Sequence, residues 1–296
     1  MRAMSDYQDL QKAMKRVLPQ LPPALQAVAA YFLEHPGKVA TLSMRQVAAE
    51  TGISAGNFPR LAKALGFDTY NDLRRVYSER VQDNGIGDYH LRAGALRDVA
   101  VDEGQAQVWS DFREAAHRNV DALFSSNALS RIVQVAEQLS AARTVYLVGM
   151  QASLSSAIYA KYLGSMLSER FRIVSGMGGI FADDITDLGE QDVLLAISLR
   201  PCSEYSIRIA QAAKARGARV IGCTDSDASP LALIADEVLQ VPVKTPLFFD
   251  SYLAVTLLLE LLLGFMTLQQ GDVVERIESI EASRVALGEY WNNKEY

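Results

Sequence analysis

Four short runs constrain the fold of this chain most tightly: Thr144–Val148 (TVYLV), Asp192–Ile197 (DVLLAI), Arg219–Cys223 (RVIGC) and Glu237–Val241 (EVLQV). Each is apolar at consecutive positions rather than at alternate ones. A strand of that kind must be covered on both faces, which is the situation of a parallel sheet between helices. The intervening stretches read as helices: Ser153–Leu167, Tyr205–Arg216 ending at Gly217, and a long one from Asp250. Phe171–Val174 is a weaker strand. Helices at Val108–Phe124 and Leu129–Leu139 precede the sheet, and Val273–Leu287 forms the last one. This alternation predicts an α/β domain over residues 105–296, with a parallel sheet covered by helices on both faces.

Residues 1–82 carry no such runs and read as an all-α domain. Pro22 and Pro23 open a helix with Leu25, Val28, Ala29 and Phe32 on one face, ending before Pro36-Gly37. Within Leu42–Phe67 the spacing is that of a helix-turn-helix. Ser43 caps a helix with Val47 and Ala48 facing inward, Gly52 supplies the turn, and Ile53, Phe58 and Leu61 return to the apolar side. Ala48 must be small where the second helix crosses. Ser54 is a suitable N-cap for that helix, which ends at Gly66. Gly56 and Pro59 are poor helix interiors, however, and the alternative start is near Asn57, with Asn57 as cap and Pro59 in the first turn. Ser54, Asn57, Arg60 and Lys63 are the candidate DNA-binding residues, since such side chains read adenine, guanine and phosphate. An ordinary helical hairpin is the competing reading. Asp68-Thr69 starts the next helix, and the glycine-containing stretch 83–104 is taken as a linker.

Charge divides along the same line. Residues 1–82 hold 11 Lys+Arg against 7 Asp+Glu, and the remainder 18 against 28, within a net charge of -6. A basic N-terminal part joined to an acidic C-terminal part suits a duplex-DNA-binding module on a separate partner domain. At ~150 residues per domain, 296 residues fit two domains. Cys202 and Cys223 form neither a zinc spacing nor a disulfide framework, which points to a cytoplasmic location. Asp6, Gln8, Asp9, Gln11 and Lys12 interrupt any apolar run of a secretory leader. Tyr252–Met266 is strongly apolar but short of the ~20 residues of a span and contains Glu260. It reads as a buried helix, partly in a subunit interface, and no membrane association is expected.

In an open parallel sheet, ligands bind beyond the carboxyl ends of the strands. Three strand-end loops here are rich in hydroxyls: Gly149–Ser153, Ser198–Glu204 and Thr224–Ser226. Hydroxyls and free backbone N–H groups at a helix N-terminus favour an anion, and Arg200 adds a guanidinium. Gly149, Ser153, Ser198, Arg200 and Ser203 are therefore the candidate effector-binding residues, with plain helix capping as the alternative role for Ser153 and Ser203. A dinucleotide site is disfavoured because Gln151 stands where the second glycine of the fingerprint belongs. His35, His90 and His117 all precede the sheet without metal spacing, so no metal or other cofactor is expected. Cys202 could sense oxidants, but little near it in sequence except Arg200 favours a thiolate.

Several of these pieces converge on one family. AYFLEHP at Ala30–Pro36, Leu42-Ser43, Val47-Ala48, Gly52, Ser54, Arg60, and Leu65-Gly66-Phe67 followed by Tyr70 and Leu73 resemble the N-terminal signature of the RpiR family of bacterial transcriptional regulators. Gly149, Ser153, Ile197-Ser198, Gly217 and Ser229–Ala232 are similar to its sugar isomerase (SIS) domain. The resemblance implies a DNA-binding regulator, a repressor of carbohydrate or related catabolic genes, controlled by a phosphosugar bound in the SIS-like domain and working as a homo-oligomer. Two departures stand out. The family's usual Ser-x-x-Thr-Val-Val-Arg is Ser54–Arg60 (SAGNFPR), and its Ser-x-Ser-Gly-x-Thr is Ser198–Ser203 (SLRPCS). The second removes a serine and a glycine from the phosphate cradle and admits a different small acidic or sugar-like effector. The other readings are a sugar-phosphate isomerase with a helical accessory domain, and a small-molecule-binding module acting through protein partners.

Overall fold

The computed structural model describes residues 7–41, 44–83, 89–97 and 101–291. Ser43, the expected cap, lies outside them. The chain divides into two compact units: residues 1–113 with Lys244–Asp250, and residues 114–243 with 251–296.

The first unit is helical: α1 (Tyr7–Val17), α2 (Pro23–Glu34), α3 (Pro36–Thr41), α4 (Met44–Thr51), α5 (Asn57–Ala64), α6 (Tyr70–Asp83) and α7 (Tyr89–Arg97). On α2 the buried residues are Leu25, Val28, Ala29 and Phe32, the face read from the sequence. The helix ends at Glu34, before Pro36 as the sequence indicates, and a second helix starts at once after His35. Pro36 occupies the first position of the six-residue α3, where a missing N–H costs nothing. The core gathers Phe32, Phe58, Tyr70 and Tyr77, whose rings lie edge-on or tilted at centroid distances of 5.5 to 6.3 Å. Val47 and Leu61 are fully buried within it, while Ala48 and Ile53 are partly buried against it. Gly52 turns at φ +70°, and its N–H donates to Ala48 O. At the end of α5 Gly66 takes φ +86°, Phe67 N donates to Ala62 O at 2.9 Å and Gly66 N to Lys63 O at 3.0 Å, which closes the helix by a Schellman motif. Thr69 and Asp72 bond each other's backbone N–H, a capping box that opens α6.

The stretch 83–104 contains α7 and the first residues of α8 (Val101–Ser126), so its described part is helical although its glycines suggested a loop. Helix α8 runs from the first unit into the second. The second unit continues with α9 (Leu129–Ala141), β1 (Val145–Gly149), α10 (Ser153–Leu167), β2 (Phe171–Ile173), β3 (Val193–Ile197), α11 (Glu204–Ala215), β4 (Arg219–Thr224), α12 (Pro230–Ile234), β5 (Glu237–Gln240), α13 (Leu253–Thr267) and α14 (Val273–Ala286). The five strands pair in parallel in the order β2-β1-β3-β4-β5. Alternate strand residues face opposite cores, as the pleat requires. Val145, Leu147, Val193, Leu195, Ile197 and Ile221 join the core with α9 and α13. Tyr146, Val148, Leu194, Ala196 and Val220 join the core with α11. This is the two-faced burial that the continuous apolar runs predict. Seven residues of α13, Ala254 to Met266, are buried within the chain itself, so its hydrophobicity does not require a second copy. No helix among the described residues is long and apolar enough to cross a membrane.

Asp192, just before β3, is an ionic brace of this sheet. Its carboxylate accepts from Gly189 N and from Arg143 Nε, both at 2.9 Å. Burial alone would raise its pKa, but the Arg143 and Gly189 bonds outweigh that and hold it below the ordinary 3.8. A depressed carboxylate stabilises the fold above its unfolded value, and that contribution disappears as pH falls through the folded value. Asp192→Asn is expected to flatten the acid limb of stability below about pH 4, read by urea unfolding at several pH values. An unchanged acid limb would assign it to other groups.

Candidate functional site: a DNA-reading helix and strand-end loops

The short helix α5 follows the turn after α4 and starts at Asn57. Ser54 is not its side-chain cap. The Ser54 carbonyl instead accepts from Asn57 N at 3.0 Å in the preceding turn, Gly56 occupies the cap position, and Asn57 is the first helical residue. Pro59 falls in the first turn, where its lack of an N–H leaves no intrahelical bond unmade. Phe58, Leu61 and Ala62 turn inward. Arg60 and Lys63 are exposed one turn apart, Ser54 is exposed before the helix, and Asn57 is half-buried at its start. In front of this helix, α3 and α4 are joined by an ion pair between Lys38 and Glu50.

At the sheet's carboxyl end, the loop from β1 to α10 approaches too closely for a side chain at Gly149. A Cβ there would lie 2.4 Å from the Ser153 carbonyl oxygen. Gln151 takes φ +54°, a left-handed conformation for a non-glycine residue. Ser153, buried at the first position of α10, places its Oγ 3.0 Å from the Tyr252 hydroxyl. Ser198 is buried at the end of β3, with its N–H on Cys223 O. Ser203 occupies the N-cap position of α11 without a side-chain capping bond. Arg200 precedes a cis peptide bond to Pro201. Its backbone N donates to Asp225 Oδ1 at 3.1 Å and its Nε to Asp225 Oδ2 at 2.9 Å, so the guanidinium is held by a carboxylate from the β4 loop. In that third loop Thr224 Oγ1 donates to Ser229 Oγ, and Ser229 caps α12. Burial pushes the Cys202 thiol up, and the nearby Asp225 adds to this despite an opposing Ser198 bond, so thiolate chemistry is disfavoured there. Burial raises Cys223 to about 12.

Comparison with known proteins bears on both halves. A profile described as a helix-turn-helix domain of the rpiR family matches residues 8–84, and an SIS domain profile matches residues 138–264. The chain belongs to the RpiR family. Among solved structures, this RpiR-family chain is similar to the Vibrio vulnificus NanR protein complexed with ManNAc-6P, at 17% identity and TM-score 0.54, over 94% of this chain and 98% of that one. It is also similar to the sugar isomerase domain of an RpiR transcription factor from Sphaerobacter thermophilus, at 20% identity and TM-score 0.56, over 60% of this chain and 99% of that one. At these identities the likeness shows a shared fold.

An RpiR-family chain of this composition is a DNA-binding regulator with a domain of sugar-phosphate-binding type. Two of its local features were not legible as site features. Tyr252 lies 99 residues after the serine whose hydroxyl it meets, and nothing in its spacing announces that contact. Asp225 stands in a loop noted for its hydroxyls, yet its carboxylate is what fixes Arg200.

Proposed function

We propose that this chain is a cytoplasmic transcription factor, a repressor, whose affinity for duplex DNA is set by a phosphosugar at Ser153, Ser198 and Ser203, with Gly149 holding the first loop close and Arg200 at the edge. The observation that carries the reading is a helix-turn-helix presenting Arg60 and Lys63 in a chain whose second unit ends three parallel strands in hydroxyl-bearing loops. The NanR relative's ManNAc-6P makes a phosphorylated sugar the first class to test. Two features narrow its chemistry. Pro201 offers no N–H, and Arg200 N is used by Asp225, so the loop after β3 supplies fewer backbone donors than the family's serine-glycine form. The Arg200–Asp225 pair offsets its own charge, which favours a ligand bound through hydroxyls as much as through its anion.

Turnover is not part of this function. Proton transfer needs a positioned group of suitable pKa. Two of the carboxylates on these loops are held in ion pairs, Asp225 with Arg200 and Glu204 with Arg208. The active form is a homodimer at least, because one reading helix covers few base pairs and a two-fold protein matches paired half-sites. Ile158 and Tyr162, exposed one turn apart on α10, are apolar surface available to a second copy, and sedimentation at micromolar concentration reads the assembly directly.

Calorimetry with a panel of sugar phosphates, acidic sugars and their neutral parents tests the site. At least one phosphorylated sugar is expected to bind the native protein and to lose at least tenfold in affinity, about 1.4 kcal/mol, with Ser153→Ala plus Ser203→Ala. A ligand that binds both proteins equally puts the site elsewhere. Isomerisation of a sugar phosphate at an enzyme-like rate would replace this reading with the isomerase.

A further inference from the structure

The chain between β5 and α13 leaves the α/β unit and returns to it. Lys244–Asp250 belongs to the first compact unit, although Val243 and Ser251 on either side belong to the second. Ser251 N donates to Val243 O at 3.0 Å and closes the base of the excursion. Within the first unit, this segment grips α7. Arg92 Nη1 donates to Asp250 Oδ1 at 2.9 Å, and Arg92 Nη2 donates to the carbonyls of Leu247 at 2.7 Å and Phe249 at 3.2 Å. The rings of Tyr89 and Phe249 lie 4.9 Å apart. The Arg92 and Asp250 side chains are only 15% and 18% exposed, so this is a largely desolvated charge pair with its donors used in a fixed geometry. Helix α7 in turn packs on α3, which pairs through Lys38 with Glu50 of α4 in the helix-turn-helix. Two residues after Asp250, the Tyr252 hydroxyl meets Ser153 Oγ at the mouth of the β1 loop.

We propose that Tyr252 is an effector-positioning residue and that Tyr252–Asp250 transmits occupancy of Ser153 to α7 through the Arg92 clamp, an inference that rests on Ser153 being an effector contact. The physical logic is competition for one hydroxyl. A ligand that takes Ser153 Oγ displaces or recruits the hydroxyl of Tyr252, the N-cap residue of α13. Because the chain is continuous and closed by the Ser251–Val243 bond, a shift there reaches Asp250 within two residues. Asp250 cannot move without changing a bond set in which Arg92 has little water to fall back on, since breaking one partner of a buried pair leaves the other charge uncompensated. Both sites thus bias one element, which is the requirement for coupling between them.

Hydrogen-exchange mass spectrometry on the full-length, ligand-free protein tests this as a double-mutant cycle. Tyr252→Phe and Ser153→Ala are each expected to speed amide exchange in residues 89–97 at least threefold, with α9 unchanged as the control for global destabilisation. Asp250→Asn is expected to speed it further, Asp250→Glu to restore part of the protection, and Tyr252→Phe to add nothing once Asp250→Asn is present. Unchanged exchange in 89–97 with Tyr252→Phe, or an independent increment on top of Asp250→Asn, overturns the proposal. No ligand enters this cycle, so a sugar panel that fails in calorimetry counts against the effector reading, while the relay stands or falls on the exchange rates.

Discussion

Phe32→Ala is expected to unfold the DNA-binding half of this protein while the α/β half stays folded. Phe32 is fully buried and its ring meets Phe58 at 6.1 Å, Tyr70 at 6.3 Å and Tyr77 at 5.5 Å. Truncating a buried phenylalanine removes its transfer free energy and leaves a cavity, costing ~3–5 kcal/mol. The neighbours are themselves rings anchored on α5 and α6, so the site cannot collapse cheaply. The helix that presents Arg60 packs against this cluster through Phe58, so DNA binding is lost along with the fold. The N-terminal unit is small and its core separate from the two cores on the sheet. Against a typical total of ~5–15 kcal/mol, the loss takes most of the margin. Differential scanning calorimetry should lose one transition and keep the other. A shift in stability below about 1 kcal/mol would contradict the placement of Phe32 at the centre of this core.

Arg60→Ala with Lys63→Ala carries the second large effect. Both side chains are exposed on α5, opposite Phe58, Leu61 and Ala62, so their removal leaves the core intact. An arginine reading a guanine edge contributes ~1–3 kcal/mol of discrimination, and a lysine on phosphate adds about one unit to the salt slope of binding, which its removal takes away. The double variant is expected to weaken operator binding ~10- to 200-fold at constant fold, with a shallower dependence on salt. Titrations at several salt concentrations, with circular dichroism as the fold control, measure both. Wild-type affinity and slope would move the reading surface away from α5.

The sheet was legible because its strands are apolar on both faces: Val145 to Val148, Val193 to Ile197 and Val220 to Cys223 state their burial directly. Helix α2 was legible for a similar reason, with four inward residues at helical spacing. Pro36 marked the end of α2 but hid α3, whose first position it occupies, while Pro59 falls in the first turn of α5 as the start near Asn57 requires; the missing N–H is harmless at both. Ser54 looked like a cap because serine is a good one, but the chain makes an extra turn first and uses only its carbonyl. Helix α7 was hidden by glycines in the stretch around it; what fixes Arg92 there is a segment more than 150 residues later in the chain. Of the loop residues, Gly149 and Ser153 lie together because the backbone of α10 passes over the glycine. The engagement of Arg200 by Asp225 is a contact across adjacent strand ends, which no local pattern encodes.

DNA affinity and sugar-phosphate binding are expected to be coupled within this one chain. Fluorescence anisotropy of a labelled duplex, selected from a random library by the full-length protein, measures this most directly when each sugar phosphate that binds in calorimetry is titrated into the complex. Salt-dependent duplex binding is expected, with an affinity that changes ~5- to 150-fold when a sugar phosphate is bound, a coupling of ~1–3 kcal/mol. Absence of sequence-selective duplex binding, or an affinity unchanged while the sugar phosphate saturates its site, would contradict it.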